Sequence, residues 1–200
     1  MDARETSCVS GIVLPKAKYL EMMTNHEFYE LCRANPDWQF ERTAEGEVIG
    51  MPPTGGETGR KNFQLTLVLG TWVERDGTGI GFDSSTAFRL PNGATRSPDA
   101  AWILRSRWEA LSAEEREEFA PVCPDFVVEL RSRRDRLTSL QDKMEEYVQC
   151  GARLGWLIDP LERRVYVYRP GEPVEVLENP ATVEGDPVLP GFVLATHQIW

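Results

Sequence analysis

The stretch that most constrains the fold covers residues 124–160 and reads PDFVVELRSRRDRLTSLQDKMEEYVQCGARLGWLIDP. Its two near-continuous apolar runs, 125–130 and 154–158, are typical of strands that are covered on both faces. Between them, residues 137–149 carry apolar side chains at helical spacing. We therefore predict a strand, a basic turn, an amphipathic helix and a second strand in this order.

The rest of the chain mixes helical and strand patterns. Thr24 and Glu27 fit a capping box, so we predict a short helix that ends before Asn35-Pro36. Periodicity and turn residues predict the other elements: strands near 38–41 and 47–51, a helix over 57–75, strands over 80–90 and 99–104, a surface helix or loop over 108–119, and strands over 164–168, 174–177 and 188–193. This order of elements predicts a mixed α/β domain.

Length and composition fit one globular domain. The 200 residues are 41% hydrophobic and 27% charged, which allows a sizeable core. We assign residues 23–200 to this domain and residues 1–22 to a loosely attached N-terminal arm. The four cysteines form no CxxC pair, which argues against a zinc site or a redox motif and suits reduced thiols. We therefore expect a cytoplasmic protein without a signal peptide or a membrane span.

The charge distribution bears on nucleic acid binding. The formal net charge of −10 opposes simple electrostatic capture of nucleic acid. A local basic patch or a bound divalent cation can overcome this. Basic residues cluster in the RSRRDR segment at 131–136 and at Arg60-Lys61, where they could grip phosphates. The simpler interpretation of these charges is a solvated loop that offsets nearby acids.

Three side chains are predicted to converge at one edge of the sheet. Glu129 lies near the end of its strand, where the sites of open α/β sheets gather. Lys143 lies at the edge of the apolar stripe of the helix, so its ammonium can reach the strand ends. Asp99 follows Pro98 at the start of another strand. Each of these residues also has a structural interpretation. Glu129 would then be an acid paired with Arg131 or Arg133. Lys143 would be a lysine without a chemical task, and Asp99 a turn carboxylate.

Two further acids are weaker candidates. Asp125 repeats the Pro-Asp dipeptide, but it begins the strand that carries Glu129, about 13 Å away along an extended chain. That separation is too large for the two to share a metal ion. Glu47 follows Gly46 and is a possible third carboxylate, although alone it fits an exposed turn residue better.

Phosphodiester hydrolysis is the chemistry that needs this set of residues. Two or three carboxylates bind Mg²⁺ through hard oxygen ligands and leave positions for water. The metal polarises the phosphate and lowers the pKa of bound water. A lysine nearby orients that water and stabilises the negative transition state.

At these residues the chain resembles the PD-(D/E)XK nuclease superfamily. More closely, it resembles a restriction-endonuclease-like family of unknown physiological role that is found in many copies in some bacterial genomes. The matching pieces are GEVIGMPPTG at 46–55, SPDAAWI at 97–103, PDFVVELRSRRD at 124–135, KMEEYVQCG at 143–151 and LGWLIDP at 154–160. The resemblance covers most of the chain, from about residue 25 to the C-terminus.

The resemblance implies a restriction-endonuclease-like core, a central mixed β-sheet flanked by helices. It also implies nuclease chemistry on DNA with Mg²⁺, or Mn²⁺, as the cofactor. Carried over by position, Asp99 and Glu129 are the expected metal ligands, and Glu47 is an additional acidic member. The analogy with restriction-like nucleases, which often cut as dimers, favours a homodimer.

One departure from the superfamily pattern concerns the lysine. In the superfamily it stands two residues after the second acid, and here that position is Arg131. Arginine does not readily replace the compact, deprotonatable charge of lysine. We therefore predict that Lys143 supplies the amine from the helix, and that Arg131, with Arg133 and Arg134, contacts phosphate.

The leading hypothesis is a Mg²⁺-dependent endodeoxyribonuclease in which Asp99 and Glu129 bind the metal and Lys143 assists the attacking water. The arginine in the lysine position and the acidic net charge motivate an alternative, a catalytically inactive DNA-binding or assembly module that retains the fold. A third option is a metal-dependent hydrolase of small phosphoesters.

Overall fold

The structure is a computed structural model that describes residues 6–9, 12–15 and 23–200. The strands are β1 (Thr6–Val9), β2 (Ile12–Pro15), β3 (Gln39–Arg42), β4 (Val48–Met51), β5 (Gly79–Asp83), β6 (Phe88–Arg89), β7 (Thr95–Arg96), β8 (Ala100–Leu104), β9 (Phe126–Leu130), β10 (Leu154–Asp159), β11 (Arg164–Tyr168), β12 (Glu175–Glu178), β13 (Thr182–Glu184) and β14 (Val193–Ala195). The helices are α1 (Asn25–Ala34), α2 (Gly56–Asp76), α3 (Arg105–Glu109), α4 (Ala113–Glu117) and α5 (Leu137–Gln149), followed by a 3₁₀ turn (Thr196–Gln198).

The main sheet has six strands in the order β12-β11-β10-β9-β8-β5. The β9–β10 pair is parallel and its other neighbouring pairs are antiparallel. The sheet is therefore mixed, and helices flank it, as predicted.

The segment at 124–160 forms a β9-α5-β10 unit. The helix begins and ends at the predicted residues, Leu137 and Gln149, and the strands on either side are buried throughout. A parallel pair of neighbouring strands requires a crossover connection, and the helix provides it. This unit fixes where α5 lies over the sheet.

The two faces of the main sheet are covered by different elements. On one face, alternate residues of β9 (Phe126, Val128 and Leu130) pack with α2 and with the C-terminal segment. On the other face, Val127 packs with Met144 and Tyr147 of α5. Strand alternation in β9 therefore divides the core between the two faces, and Glu129 shares the face of Val127.

A second sheet of four strands, in the order β4-β3-β7-β6, lies beside the main one. The hairpin of β3 and β4 is joined by a turn in which Gly46 has a φ of 93°. The capping box of α1 is also present: the Thr24 hydroxyl accepts from Glu27 N, and the Glu27 side chain accepts from Thr24 N. Gly77 ends α2 in the left-handed conformation, with a φ of 71°.

The prediction of one strand over residues 80–90 is wrong. The chain forms β5, turns, and then forms β6 in the second sheet. Asp83 causes the break, because its carboxylate accepts from Ser85 N at 3.1 Å and its carbonyl accepts from Thr86 N at 3.2 Å.

The prediction of a strand over residues 188–193 is also wrong, since only Val193 belongs to a strand there. The preceding residues form a turn in which Leu189 N donates to Gly185 O and Phe192 N donates to Leu189 O. This turn places Leu189 and Phe192 in the core. The apolar residues of this segment are therefore buried without forming a strand. The predicted surface segment at 108–119 contains the end of α3 and all of α4.

The predicted N-terminal arm, residues 1–22, lies largely outside the described residues. Within it, the structure describes only the antiparallel pair of β1 and β2. In the described part of the chain, no helix combines the length and the apolarity needed to cross a membrane.

Candidate active site

The register of the main sheet brings Asp99 and Glu129 together. Strands β8 and β9 are antiparallel, and Ala100 pairs with Val128. The residue before Ala100 therefore lies beside the residue after Val128, at one edge of the sheet. One oxygen of Asp99, Oδ2, accepts a hydrogen bond of 2.7 Å from Leu130 N, which fixes the carboxylate against β9.

Helix α5 aims two side chains at Glu129. Lys143 Nζ lies 2.8 Å from Glu129 Oε1, and the Tyr147 hydroxyl donates to the same oxygen at 3.1 Å. Residues four apart share a helix face, so this arrangement follows from the crossover of α5 over β9. The structure therefore brings together the three residues predicted to form the site: Asp99, Glu129 and Lys143.

The second sheet contributes a carboxylate that the sequence analysis missed. Glu41 of β3 accepts from Lys143 Nζ at 2.7 Å and from Ser97 N at 2.8 Å, both at Oε1. Its Oε2 lies 3.2 Å from Arg96 NH1, and Arg96 also pairs with Glu146 of α5. Glu41 is only 4% exposed, so it is a buried partner of Lys143 and not a surface acid.

Glu47, the acid that was predicted as a third member, lies in the turn before β4. Its side chain is exposed, and its backbone pairs with Thr43 across the turn. Glu41 and Glu47 belong to the same hairpin, but in the described contacts it is Glu41 that reaches Lys143. Whether Glu47 binds a metal ion stays a prediction, and its position makes Glu41 the better candidate for a third acid.

Asp125 lies at the opposite end of β9 from Glu129. Its carboxylate accepts from Leu104 N at 2.9 Å and pairs with Arg107 at 2.9 Å. These contacts join the start of β9 to the end of β8 and the helix that follows. Asp125 therefore has a structural task at that end of the strand.

Arg131, in the position of the superfamily lysine, turns away from the acids. Its NH1 lies 2.6 Å from Oδ2 of Asp159, which is fully buried at the end of β10. Asp159 Oδ1 also accepts from Leu161 N at 3.0 Å. Arg131 is thus paired with Asp159 at the end of the β9–β10 strand pair. A phosphate contact by Arg131 stays a prediction, and this pairing does not favour it.

The other predicted phosphate contacts lie on the loop after β9. Arg133 and Arg134 are exposed there. Partial burial, together with the charges of Arg60 and Arg133, lowers the pKa of Lys61 against the opposing effect of Glu57. Arg133 is therefore close enough to Lys61 of α2 for the two charges to repel. Basic side chains of α2 and of the loop after β9 are thus close enough to interact electrostatically.

The acids of the site differ in their electrostatics. Burial raises the pKa of Glu129 to about 8, and the neighbouring Asp99 and Glu41 add to this while Lys143 opposes it. Burial also raises the pKa of Asp99. For Glu41 burial acts in the same direction, but Lys143, Ser97 N and Arg96 together hold its pKa below the usual range. Among these three acids, Asp99 and Glu129 are thus the two in which nearby positive charge does not offset the effect of burial on the pKa.

Lys143 carries a proton at neutral pH. Burial works to lower its pKa, but the paired Glu129 and Glu41 raise it above the usual value for lysine. The side chain is 12% exposed. The ammonium is therefore a fixed positive charge in a nearly buried site, where electrostatic interactions are stronger than in water.

The oxygen donors of the site suit a hard divalent cation. Asp99 and Glu129 supply carboxylates, and both described contacts of Glu129 involve Oε1. Among the described residues, no three Asp, Glu, His or Cys side chains come together closely enough to hold a metal ion by themselves.

A groove with a different lining lies away from the acids and the lysine. It has a volume of about 630 Å³ and runs between α2 and β5, on the edge strand of the main sheet. None of the residues that line it belongs to the acid and lysine cluster. The groove and the candidate site are therefore separate features of the molecule.

The architecture and the cluster together define a protein of the restriction-endonuclease-like class. The sequence profile of the Uma2 family, described as "Putative restriction endonuclease", matches residues 26–197. The chain belongs to this family, which confirms the resemblance noted from its motifs.

A solved structure shows the same fold. The crystal structure of a protein described as "a putative nuclease belonging to DUF820", from Anabaena variabilis ATCC 29413, superposes with a TM-score of 0.72. It is 24% identical, and the match covers 88% of this chain and 97% of the other. The likeness at this identity concerns the fold. No curated protein matches the chain.

Proposed function

We propose that this protein is a divalent-metal-dependent endonuclease that hydrolyses phosphodiester bonds of DNA. In this proposal Asp99 and Glu129 hold the cation, which is Mg²⁺ or Mn²⁺, and Lys143 acts on the reacting phosphate. The family and the fold support a nuclease, while the metal, the substrate and the residue roles are our inference.

The observation that carries the proposal is the position of the Lys143 ammonium. It lies 2.8 Å from Glu129 at the sheet edge where Asp99 meets β9, although the lysine is absent from its usual place two residues after the second acid. Helix α5 thus supplies the amine that the strand lacks. This removes the main reason to regard the site as inactive.

The raised pKa values of Asp99 and Glu129 support the assignment of these two acids to a cation. Carboxylates that are buried close together are stabilised in the ionised form by an opposite charge. A bound Mg²⁺ would supply that charge, polarise the phosphate and lower the pKa of a water molecule.

Lys143 is assigned an electrostatic role. Because its pKa is raised, it remains an ammonium and does not act as a general base at neutral pH. A fixed ammonium beside the acids orients the attacking water and stabilises the negative charge that develops on the phosphate. Glu41 is a positioning residue, since it holds the ammonium from the second sheet at 2.7 Å.

The loop after β9 is assigned to the DNA backbone. The exposed side chains of Arg133 and Arg134, with Lys61 on α2, provide local positive charge next to an acidic site. A protein of net charge −10 needs such a patch to approach DNA. The homodimer that the analogy favours stays a prediction.

A cleavage assay tests the proposal. The purified protein is expected to nick supercoiled plasmid DNA with Mg²⁺ or Mn²⁺ and to lose this activity with EDTA. Asp99→Ala and Lys143→Ala should each lower the rate by at least about 100-fold. Equal cleavage by the variants and the wild type would indicate a contaminating nuclease and reject the assignment.

Glu145→Ala is the matched control, because Glu145 is an exposed carboxylate on the same helix as Lys143. It should cleave like the wild type. Tight DNA binding without metal-dependent cleavage would instead favour the non-catalytic module. Hydrolysis of a chromogenic phosphodiester without DNA cleavage would favour the small-substrate hydrolase.

A further inference from the structure

Asn62 of α2 belongs to the surroundings of the site, although no sequence motif points to it. Its Nδ2 donates a hydrogen bond of 2.8 Å to Asp99 Oδ1, across 37 residues of sequence. Asp99 Oδ2 is held by Leu130 N at 2.7 Å. The two oxygens of Asp99 are thus oriented by two separate elements, a helix and a strand.

The other polar atom of the Asn62 side chain has no such contact. Its Oδ1 is buried and accepts no hydrogen bond from any of the described residues. A buried acceptor without a partner loses its hydration without gaining a hydrogen bond, so such atoms are rare and call for an explanation.

Exchanging the two ends of the amide does not remove the problem. The exchange would place an oxygen against the carboxylate of Asp99, and the two acceptors would repel each other. It would also leave the amide nitrogen buried without an acceptor. The hydrogen bond to Asp99 therefore determines that the oxygen is the atom without a partner.

This oxygen lies close to the carboxylate of Asp99. The nitrogen and oxygen of one amide are about 2.3 Å apart, so Oδ1 lies within about 5 Å of Asp99 Oδ1. Amide carbonyl oxygens are hard ligands of the kind that Mg²⁺ and Mn²⁺ accept. The described residues provide no cluster of three acids, histidines or cysteines that could hold a metal, so a neutral oxygen would complete the protein ligands.

We propose that Asn62 is a ligand of the same cation, with Nδ2 orienting Asp99 and Oδ1 donating to the metal. This inference rests on the proposed function, since it concerns the cation assigned to Asp99 and Glu129. In the metal-free protein the amide donates to Asp99, whereas a carboxylate at this position would repel Asp99 unless a cation lay between them.

Manganese titration of the full chain tests the proposal. Mn²⁺ affinity is measured by calorimetry and by electron paramagnetic resonance for the wild type, Asn62→Ala, Asn62→Asp and Gln64→Ala. Asn62→Ala should weaken Mn²⁺ binding by at least about 10-fold. Asn62→Asp keeps an oxygen at the position and should bind Mn²⁺ at least as tightly as the wild type.

Gln64→Ala is the control, since it removes an amide from the same helix two residues further on, and its affinity should match the wild type. Circular dichroism and urea unfolding of the metal-free proteins verify that the variants are folded. The nearly isosteric Asn62→Asp keeps the test informative where Asn62→Ala does not fold.

Two results would overturn the inference. Wild-type Mn²⁺ affinity in Asn62→Ala would show that Oδ1 is not a ligand. Equal weakening in Asn62→Ala and Asn62→Asp would show that only the hydrogen bond to Asp99 matters. A wild-type protein that binds no Mn²⁺ would instead reject the proposed function, so the two failures are distinguishable.

Discussion

The ammonium of Lys143 lies 2.8 Å from Glu129 Oε1, although the two residues belong to a helix and to a strand. In the superfamily pattern the lysine and the acid stand two residues apart on one strand. Here the crossover of α5 over β9 places an ammonium beside the same acid from a different element. The position of the charge beside the acid is thus kept although a different segment carries it.

Replacing Lys143 with Met separates the role of the ammonium from metal binding. Lys143→Met keeps most of the aliphatic stem, so α5 should stay packed, while the charge that stabilises the transition state is removed. We expect DNA cleavage to fall by at least about 100-fold. Mn²⁺ affinity should not fall, because Glu129 and Glu41 lose their internal cation. Cleavage rates and Mn²⁺ titrations measure the two effects, and a variant that cleaves normally would contradict the role of Lys143.

Two of the Pro-Asp pairs of the chain, Pro98-Asp99 and Pro124-Asp125, provide a matched comparison. Asp99→Asn should abolish Mn²⁺ binding and cleavage, since this carboxylate is assigned to the metal. Asp125→Asn should keep Mn²⁺ affinity and lose about 1–3 kcal/mol of stability, because Asp125 accepts from Leu104 N and pairs with Arg107. Calorimetry and urea unfolding distinguish them. The reverse pattern would mean that the two acids have been assigned the wrong tasks.

Two acids of one hairpin are expected to behave differently. Glu41→Gln removes a charge that holds Lys143 at 2.7 Å, so DNA cleavage should fall by about 10–100-fold, as is typical for residues that orient active groups. Glu47→Gln should cleave like the wild type, because Glu47 is exposed in the turn. Single-turnover cleavage by both variants is the measurement. A larger effect in Glu47→Gln would restore the assignment made from the sequence.

The basic loop after β9 predicts the salt dependence of DNA binding. The double variant Arg133→Ala and Arg134→Ala should bind DNA more weakly, and the slope of log affinity against log salt should decrease by about 1 for each phosphate that the protein no longer neutralises. Its Mn²⁺ affinity should be unchanged. Arg116→Ala, an exposed arginine on α4, is the control. An unchanged slope in the double variant would exclude this loop as the DNA-binding surface.

The sequence predicted those parts of the fold in which one pattern dominates. Helix α5 was located to the residue because its apolar stripe is regular, and β9 and β10 because their runs are buried on both faces. The meeting of Asp99 with Glu129 was also predictable, since one residue starts a strand and the other lies near the end of its antiparallel neighbour.

The parts that the sequence did not predict depend on tertiary packing. Glu41 occupies an ordinary strand position between Phe40 and Arg42, and nothing local shows that its sheet packs against α5. Asn62 lies among polar residues at the start of a long helix, and its relation to Asp99 spans 37 residues. Both interactions arise only when separate elements meet, so neither leaves a periodic signal in the sequence.

The Arg131–Asp159 pair leads to a prediction about stability. Asp159 is fully buried, so Arg131→Ala would leave its charge without a partner and should lower the free energy of unfolding by about 3 kcal/mol. Arg131→Ala combined with Asp159→Asn should lose less, because the asparagine is neutral and can still accept from Leu161 N. Urea unfolding, followed by tryptophan fluorescence, gives both values. Mn²⁺ affinity should be unchanged in Arg131→Ala, and a stable variant with impaired DNA binding would instead assign Arg131 to phosphate contact.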